Sequence, residues 1–203
     1  MSGAKPFAPR AVLFDLDGVL VDSYQVWFHL LNDVASTLGY PPVTSEQYEA
    51  SWGQSTYADR QAFFPNHAVA EIQDSYDTRY ADHLEHLGVP DGVEKVFARL
   101  ASLGLKSAVC TNTQASIAAN AVKLSGATPD VIVGGDDVPH GKPAPDMIAR
   151  ACELLGEAPD SAWMVGDSRY DREAAAAAGV LFVGRGIDGD FRVEVLSELL
   201  DWL

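Results

Sequence analysis

Short apolar runs alternate with amphipathic stretches along most of this chain, and that alternation restricts its fold more than any other feature. Residues 11–14, 105–110, 131–133, 163–165 and 180–183 read as buried strands. Residues 93–103, 115–124, 145–155 and 169–178 repeat apolar side chains at helical spacing between them. Continuous apolar runs separated by helices predict a parallel sheet with right-handed crossovers, covered on both faces. The expected class is α/β, a doubly wound parallel-sheet, Rossmann-like core formed by residues 1–22 and 88–203.

Residues 23–87 break the rhythm with helical patterns and no convincing buried strand. Trp27, Leu30, Leu31, Val34 and Leu38 recur at helical spacing, and Gly39, Pro41 and Pro42 stop that helix. Thr44 and Gln47 suit a capping box, and Asn66 suits the cap of a helix running through Ile72, Tyr76 and Tyr80. The expectation is an inserted all-helical cap domain whose connections, 21–23 and 88–92, act as hinges. Because it enters just past Asp15 and Asp17, it is expected to lie over the carboxyl ends of the strands.

Composition narrows the partners. The formal net charge is −15, so nucleic acid and anionic membranes are poor partners for want of a basic face. No apolar stretch reaches the roughly 18 residues of a membrane span, and residues 1–10 lack the apolar run of a secretory signal. Two cysteines, Cys110 and Cys152, make no disulfide framework, which fits a reducing, cytoplasmic setting. A small-molecule partner is expected, with monomer and homodimer both open.

Four polar clusters follow strands: Asp15-Leu16-Asp17-Gly18, Thr111-Asn112-Thr113, Gly141-Lys142-Pro143 after a short loop, and Gly166-Asp167-Ser168 with Asp171. In an open parallel sheet the carboxyl ends of strands face one edge, where ligands bind, so the clusters are expected to converge. Asp15, Asp17, Asp167 and Asp171 would then crowd one crevice and must neutralise or bind a cation. Mg2+ suits an all-oxygen set and leaves room for a phosphate oxygen. Lys142 adds a compact positive charge, Thr111 a hydroxyl, and Gly18 close backbone approach to an anion. This inventory suits phosphoryl transfer through a carboxylate nucleophile.

The run Phe14-Asp15-Leu16-Asp17-Gly18-Val19-Leu20-Val21-Asp22-Ser23, followed in order by Cys110-Thr111-Asn112-Thr113, Gly141-Lys142-Pro143-Ala144-Pro145-Asp146 and Val165-Gly166-Asp167-Ser168, resembles the four motifs of the haloacid dehalogenase superfamily. It is most similar to the subfamily with a helical cap inserted after the first motif, in the manner of phosphoglycolate phosphatases. The resemblance implies a Mg2+-dependent phosphatase acting on a small phosphorylated metabolite. Asp15 would be nucleophile and metal ligand. Asp17 would be the acid and then the base, with its carbonyl on the metal. Thr111 and Lys142 would hold the phosphoryl group, with Asn112 and the backbone near Gly18 assisting. Asp167 would bind metal, and Asp171 would stand behind as an outer carboxylate or an anchor for Lys142.

Asp17 argues against dehalogenation, since the family's dehalogenases lack an aspartate two residues after the nucleophile. The absence of lysine from 23–87 argues against a phosphonatase, which needs a Schiff-base lysine from the cap. A sugar phosphomutase of the same family stays open, as does a catalytically silent ligand-binding or regulatory protein on the same fold. Trp52-Gly53-Gln54-Ser55 resembles the cap loop that reaches into the site in relatives, where a basic residue often follows the glycine. Gln54 and Arg60 are the expected cap residues for substrate selection.

Overall fold

A computed structural model of the protein describes residues 6–203. The first five residues of the expected core segment, half of the stretch read for a signal, lie outside the described residues. Six parallel strands form one sheet: β1 (Ala11–Phe14), β2 (Lys106–Cys110), β3 (Val131–Val133), β4 (Ala162–Gly166), β5 (Leu181–Arg185) and β6 (Phe191–Val193), in the order β3-β2-β1-β4-β5-β6. The expected α/β class is observed. The chain winds outward from β1 in one direction and then restarts beside it in the other, so the switch point lies between β1 and β4.

Side-chain alternation sorts the strands into two cores. Val12 and Phe14 pack on one face with Val93, Val96, Phe97 and Leu100 of α5 (Val93–Ser102) and with Ala118, Ala121 and Val122 of α6 (Ala115–Ser125). Ala11 and Leu13 pack on the other face with Met147, Ile148 and Ala151 of α7 (Asp146–Leu155) and with Ala174 and Ala175 of α8 (Arg169–Ala178). The spacing of 93, 96, 97 and 100 places those side chains on a single stripe of α5. The alanine run of α8 lets the helix lie close on the sheet. Strand β6 was not among the expected elements; exposed Arg192 between Phe191 and Val193 breaks the continuous apolar run by which the other strands were read.

Helices α1 (Tyr24–Leu38), α2 (Ser45–Ser51), α3 (Thr56–Phe63) and α4 (Val69–Arg79), with a 310 turn over Tyr80–His86, fill the interval between β1 and α5. They enclose a third apolar cluster of Val26, Leu30, Leu31, Val34, Ile72 and Tyr76, which Ile117 of α6 joins from the sheet side. The capping box of Thr44 and Gln47 is present. Asn66 does not cap the fourth helix: Ala68 occupies that position, and Glu71 Oε2 accepts from its N–H at 2.8 Å. The two connections to the sheet run side by side, with Asp22 and Gly88 exchanging N–H···O bonds of 2.8 and 2.9 Å.

Leu30 is fully buried in this third cluster. Leu30→Ala is expected to cost about 2–5 kcal/mol in denaturant unfolding, the range for a leucine cavity that collapses only in part.

Candidate active site

Strand register sets the site. Phe14 lies level with Val109 and Val165, so the residues that follow all three strands emerge together. Asp15 leaves β1 with its N–H donated to the Val165 carbonyl at 2.9 Å, and Thr111 leaves β2 with its N–H donated to Val133 at 3.1 Å. At the centre, Lys142 Nζ sits 2.7 Å from Asp15 Oδ1 and 2.6 Å from Asp171 Oδ1, with all three side chains nearly inaccessible. Asp171 is fixed in turn by α8, where its Oδ2 accepts from Ser168 Oγ at 2.5 Å and from Ser168 N–H at 3.1 Å. Asp171 is therefore the anchor of Lys142.

Asn112 holds the lysine loop. Its Oδ1 accepts from Lys142 N–H at 2.8 Å, while its Nδ2 donates to the carbonyls of Lys142 and Gly53, each at 3.0 Å. Both amide hydrogens are thus engaged, and Asn112 clamps the Lys142 loop to the Gly53 loop of the insertion while still lining the cavity. Arg60 also departs from expectation. Its guanidinium donates to the Pro65 and His67 carbonyls at 3.0 Å and does not line the cavity.

Asp17 points toward the helical insertion. Ser23 Oγ donates to its Oδ1 at 2.5 Å and Trp27 Nε1 at 2.9 Å, and Thr113 Oγ1 donates to its Oδ2 at 2.6 Å. Thr111 Oγ1 lies 3.4 Å from the same Oδ2. Asp15 Oδ1 accepts from Leu16 N–H at 2.7 Å as well as facing Lys142, so its Oδ2 is the oxygen left for chemistry.

A metal fits here on the structure's own terms. Carboxylate oxygens of Asp15, Asp167 and Asp171 lie within 4.8 Å of one another, the one such group among the described residues. Asp167 Oδ1 is buried with no hydrogen-bond partner, although Oδ2 accepts from Trp52 Nε1 at 3.2 Å. Gly18 has a φ of 76°, and a Cβ built there would fall 1.9 Å from Asp167 Oδ2, so a side chain would displace that carboxylate. Arg185 donates to the Gly18 carbonyl and steadies the turn.

The electrostatics agree. Burial, then Asp171, pushes the Asp15 carboxyl up, against the pull of Lys142. Burial and then Asp171 likewise raise Asp167 to about 7. Burial alone would lower Lys142, but Asp15 and Asp171 outweigh it and hold the ammonium above its ordinary value. Three carboxylates share one ammonium, and the surplus negative charge is what a divalent cation relieves.

Beside this centre lies a cavity of about 60 Å³, on a scale where one water needs roughly 10–15 Å³. The sheet lends it Asp15, Asp17, Thr111, Asn112, Thr113 and Lys142, and the insertion lends Trp27, Tyr48, Trp52, Gln54, Asp59 and Tyr76. Gln54 stands where the cap loop was expected to reach, and its Nε2 donates to Asp59 Oδ1 at 2.7 Å. Tyr76 Oη donates to Asp59 Oδ2 at 2.9 Å. Asp59 was missed in the sequence. The signal lay in helical phase: Thr56 and Asp59 share the inner face of α3, and Arg60, one residue on, turns away.

The scattered histidines give no further centre. His29 stacks on His86 at 4.3 Å, and His140 Nδ1 pairs with Asp146 at 3.0 Å. No helix among the described residues is long and apolar enough to cross a membrane.

Burial raises Asp59 to about 6, and the bonds from Gln54 and Tyr76 only moderate the rise. The folded chain thus holds this proton more tightly than the unfolded one, so stability from this group is full below about pH 4 and is lost as pH rises through 6. Asp59→Asn removes that dependence. Relative to the unsubstituted protein, the variant is expected to gain about 1–2 kcal/mol between pH 5 and pH 8, read from denaturant midpoints at the two pH values.

Comparison with known proteins was consistent with this arrangement. The chain is 34% identical to a provisionally named pyrophosphatase of Caldanaerobacter subterraneus, over 84% of this chain and 78% of that protein. It is 33% identical to a phosphoglycolate phosphatase of Chromobacterium violaceum, over 95% of each. Its fold matches the crystal structure of a β-phosphoglucomutase from Clostridium difficile with a TM-score of 0.83 at 17% identity, over 94% of this chain and 93% of that one. The model of the haloacid dehalogenase-like hydrolases matches residues 12–185. With that match spanning both the sheet and the helical insertion, the chain belongs to the haloacid dehalogenase-like hydrolase family.

Proposed function

We propose that this hydrolase is a Mg2+-dependent phosphatase that cleaves a small phosphomonoester through a phosphoaspartate on Asp15. The observation that carries the reading is the pairing of Asp15 with buried Lys142 beside the unpartnered oxygen of Asp167. Asp15, Asp167 and the Asp17 carbonyl would hold the metal, which would offset the charge of the phosphoryl oxygens.

The residues then divide the work. Lys142 and Thr111 bind the phosphoryl oxygens and bring phosphorus against Asp15 Oδ2. The P–O bond to the leaving group breaks as the bond to Oδ2 forms, and Asp17 gives its proton to the departing oxygen. Asp17, now a carboxylate, takes a proton from water as that water attacks phosphorus, which releases inorganic phosphate and restores Asp15. Its contact with Trp27 of α1 ties this acid and base to the helical insertion, supporting a cap over 23–87 whose position governs the proton's route. Asn112 and Asp171 act by positioning Lys142.

Hydrolysis is favoured over a sugar phosphomutase reaction. A mutase passes through a bisphosphate and must seat a second phosphoryl group at the far end of the cavity. The wall contributed by the insertion presents Asp59, and Lys142 is the one lysine or arginine in the wall among the described residues.

Asp15→Asn is expected to keep the fold and lower kcat by at least about 10³, the scale of losing a covalent nucleophile. Phosphate from a labelled substrate is expected on Asp15 after rapid quench, and label on any other residue refutes the mechanism. Chelation is expected to abolish turnover and added Mg2+ to restore it, whereas full activity in excess chelator would remove the metal from the scheme.

A further inference from the structure

We infer that the preferred substrate carries a positive charge on its leaving group, an amino alcohol whose ammonium sits against Asp59 between aromatic rings of the helical insertion. The inference rests on the phosphatase reading above and adds to it the chemistry of the leaving group.

Charge gives the first argument. Lys142, the cation of the cavity wall, is already held between Asp15 and Asp171. In the wall contributed by the insertion the partners of Asp59 are neutral, the amide of Gln54 and the hydroxyl of Tyr76. Arg60 is adjacent in sequence, yet its guanidinium is taken by backbone carbonyls. A carboxylate that ionises in such a place without a counter-ion is one that a cationic ligand relieves. The same carboxylate repels an anionic tail, the kind present in phosphoglycolate or a bisphosphate.

The wall gives the second. Trp27 meets Tyr76 edge to face at 5.4 Å and 83°, and Tyr48 meets Trp52 at 5.9 Å and 75°. All four rings border the same cavity as Asp59. Aromatic faces attract ammonium groups, most strongly where water is excluded, and a carboxylate among them adds direct pairing. Size sets the third limit. A cavity of about 60 Å³, where one water needs roughly 10–15 Å³, suits a phosphoryl group with a tail of a few heavy atoms.

Three esters of similar size separate the possibilities: 2-aminoethyl phosphate, 2-hydroxyethyl phosphate and phosphoglycolate, with cationic, neutral and anionic tails. At pH 7.5 with Mg2+, kcat/KM is expected to fall in that order, by at least about tenfold at the first step, the scale of a desolvated cation–π and ion-pair contact. In Asp59→Asn the advantage of the aminoethyl over the hydroxyethyl ester is expected to disappear. Equal rates for the cationic and neutral esters, or preference for phosphoglycolate, would overturn the inference and leave the phosphatase intact. Failure to hydrolyse any of the three would overturn the phosphatase reading, and the inference with it. A second measurement needs neither turnover nor a variant. Choline is expected to quench tryptophan fluorescence of the unsubstituted protein saturably, with ethylene glycol and glycolate weaker by at least about tenfold in affinity. Equal quenching by the three would refute the cation subsite.

Discussion

Lys142 is buried between two carboxylates, and the rest of the site is arranged to keep it there. An ammonium withdrawn from water carries a desolvation cost of several kcal/mol, so it persists only with close, well-aligned partners. Asp15 and Asp171 supply them at 2.7 and 2.6 Å. Each is anchored by a separate element: Asp15 by the end of the central strand, Asp171 by the first turn of α8. Asn112 then secures the lysine loop from a third direction, at the end of β2. Four segments distant in sequence are therefore held in register by one charge. The arrangement leaves a deficit, because three carboxylates and one ammonium do not balance. Folding thus leaves an electrostatic demand of the kind that a divalent cation relieves.

The sheet makes that convergence possible with little help from the loops. β1 sits at the switch point, flanked by β2 and β4, which each run one residue past the level of Phe14. A one-residue shift in the register of β1 would turn Val12 and Phe14 away from α5 and carry Asp15 out of reach of Lys142. The apolar pattern that buries the strand and the geometry that aims the nucleophile are the same constraint. Gly18 extends it, since the turn after Asp17 passes so near Asp167 that no side chain fits.

This coupling explains why much was legible beforehand. Buried parallel strands are continuous apolar runs, and each polar cluster comes after one, so the convergence of Asp15, Thr111, Lys142 and Asp167 could be expected from pattern and resemblance. What escaped reading depended on where a side chain turns. Arg60 and Asp59 are neighbours in α3, and a cation seemed the natural partner for a phosphorylated ligand; helical phase put the acid inward and left the guanidinium to bind carbonyls. Asn112 follows β2 as expected, but its amide is taken by two backbone carbonyls whose proximity is a tertiary fact. The start of α4 moved from Asn66 to Ala68 because Glu71 reaches back to the Ala68 N–H while the Asn66 N–H is taken by Tyr40. Local propensity yields to such partners whenever both cannot be satisfied.

The cavity joins two surfaces with different electrostatic demands, and the difference bears on how one fold serves many substrates. At the sheet end negative charge accumulates around a fixed lysine and calls for a metal and a phosphoryl group. At the cap end a carboxylate stands among neutral donors and rings, without a counter-charge. The two ends are built from different stretches of sequence, and only the first coincides with the motifs that mark the family. The relatives' names already differ in what is cleaved, a pyrophosphatase and a phosphoglycolate phosphatase at nearly equal identity. One contact crosses between the two halves. Trp27 belongs to the insertion and donates to Asp17, the acid of the proposed mechanism. A ring of the aromatic wall is thereby joined directly to a carboxylate of the sheet's edge, so on the proposed mechanism a ligand that fits the wall also bears on where the proton is held.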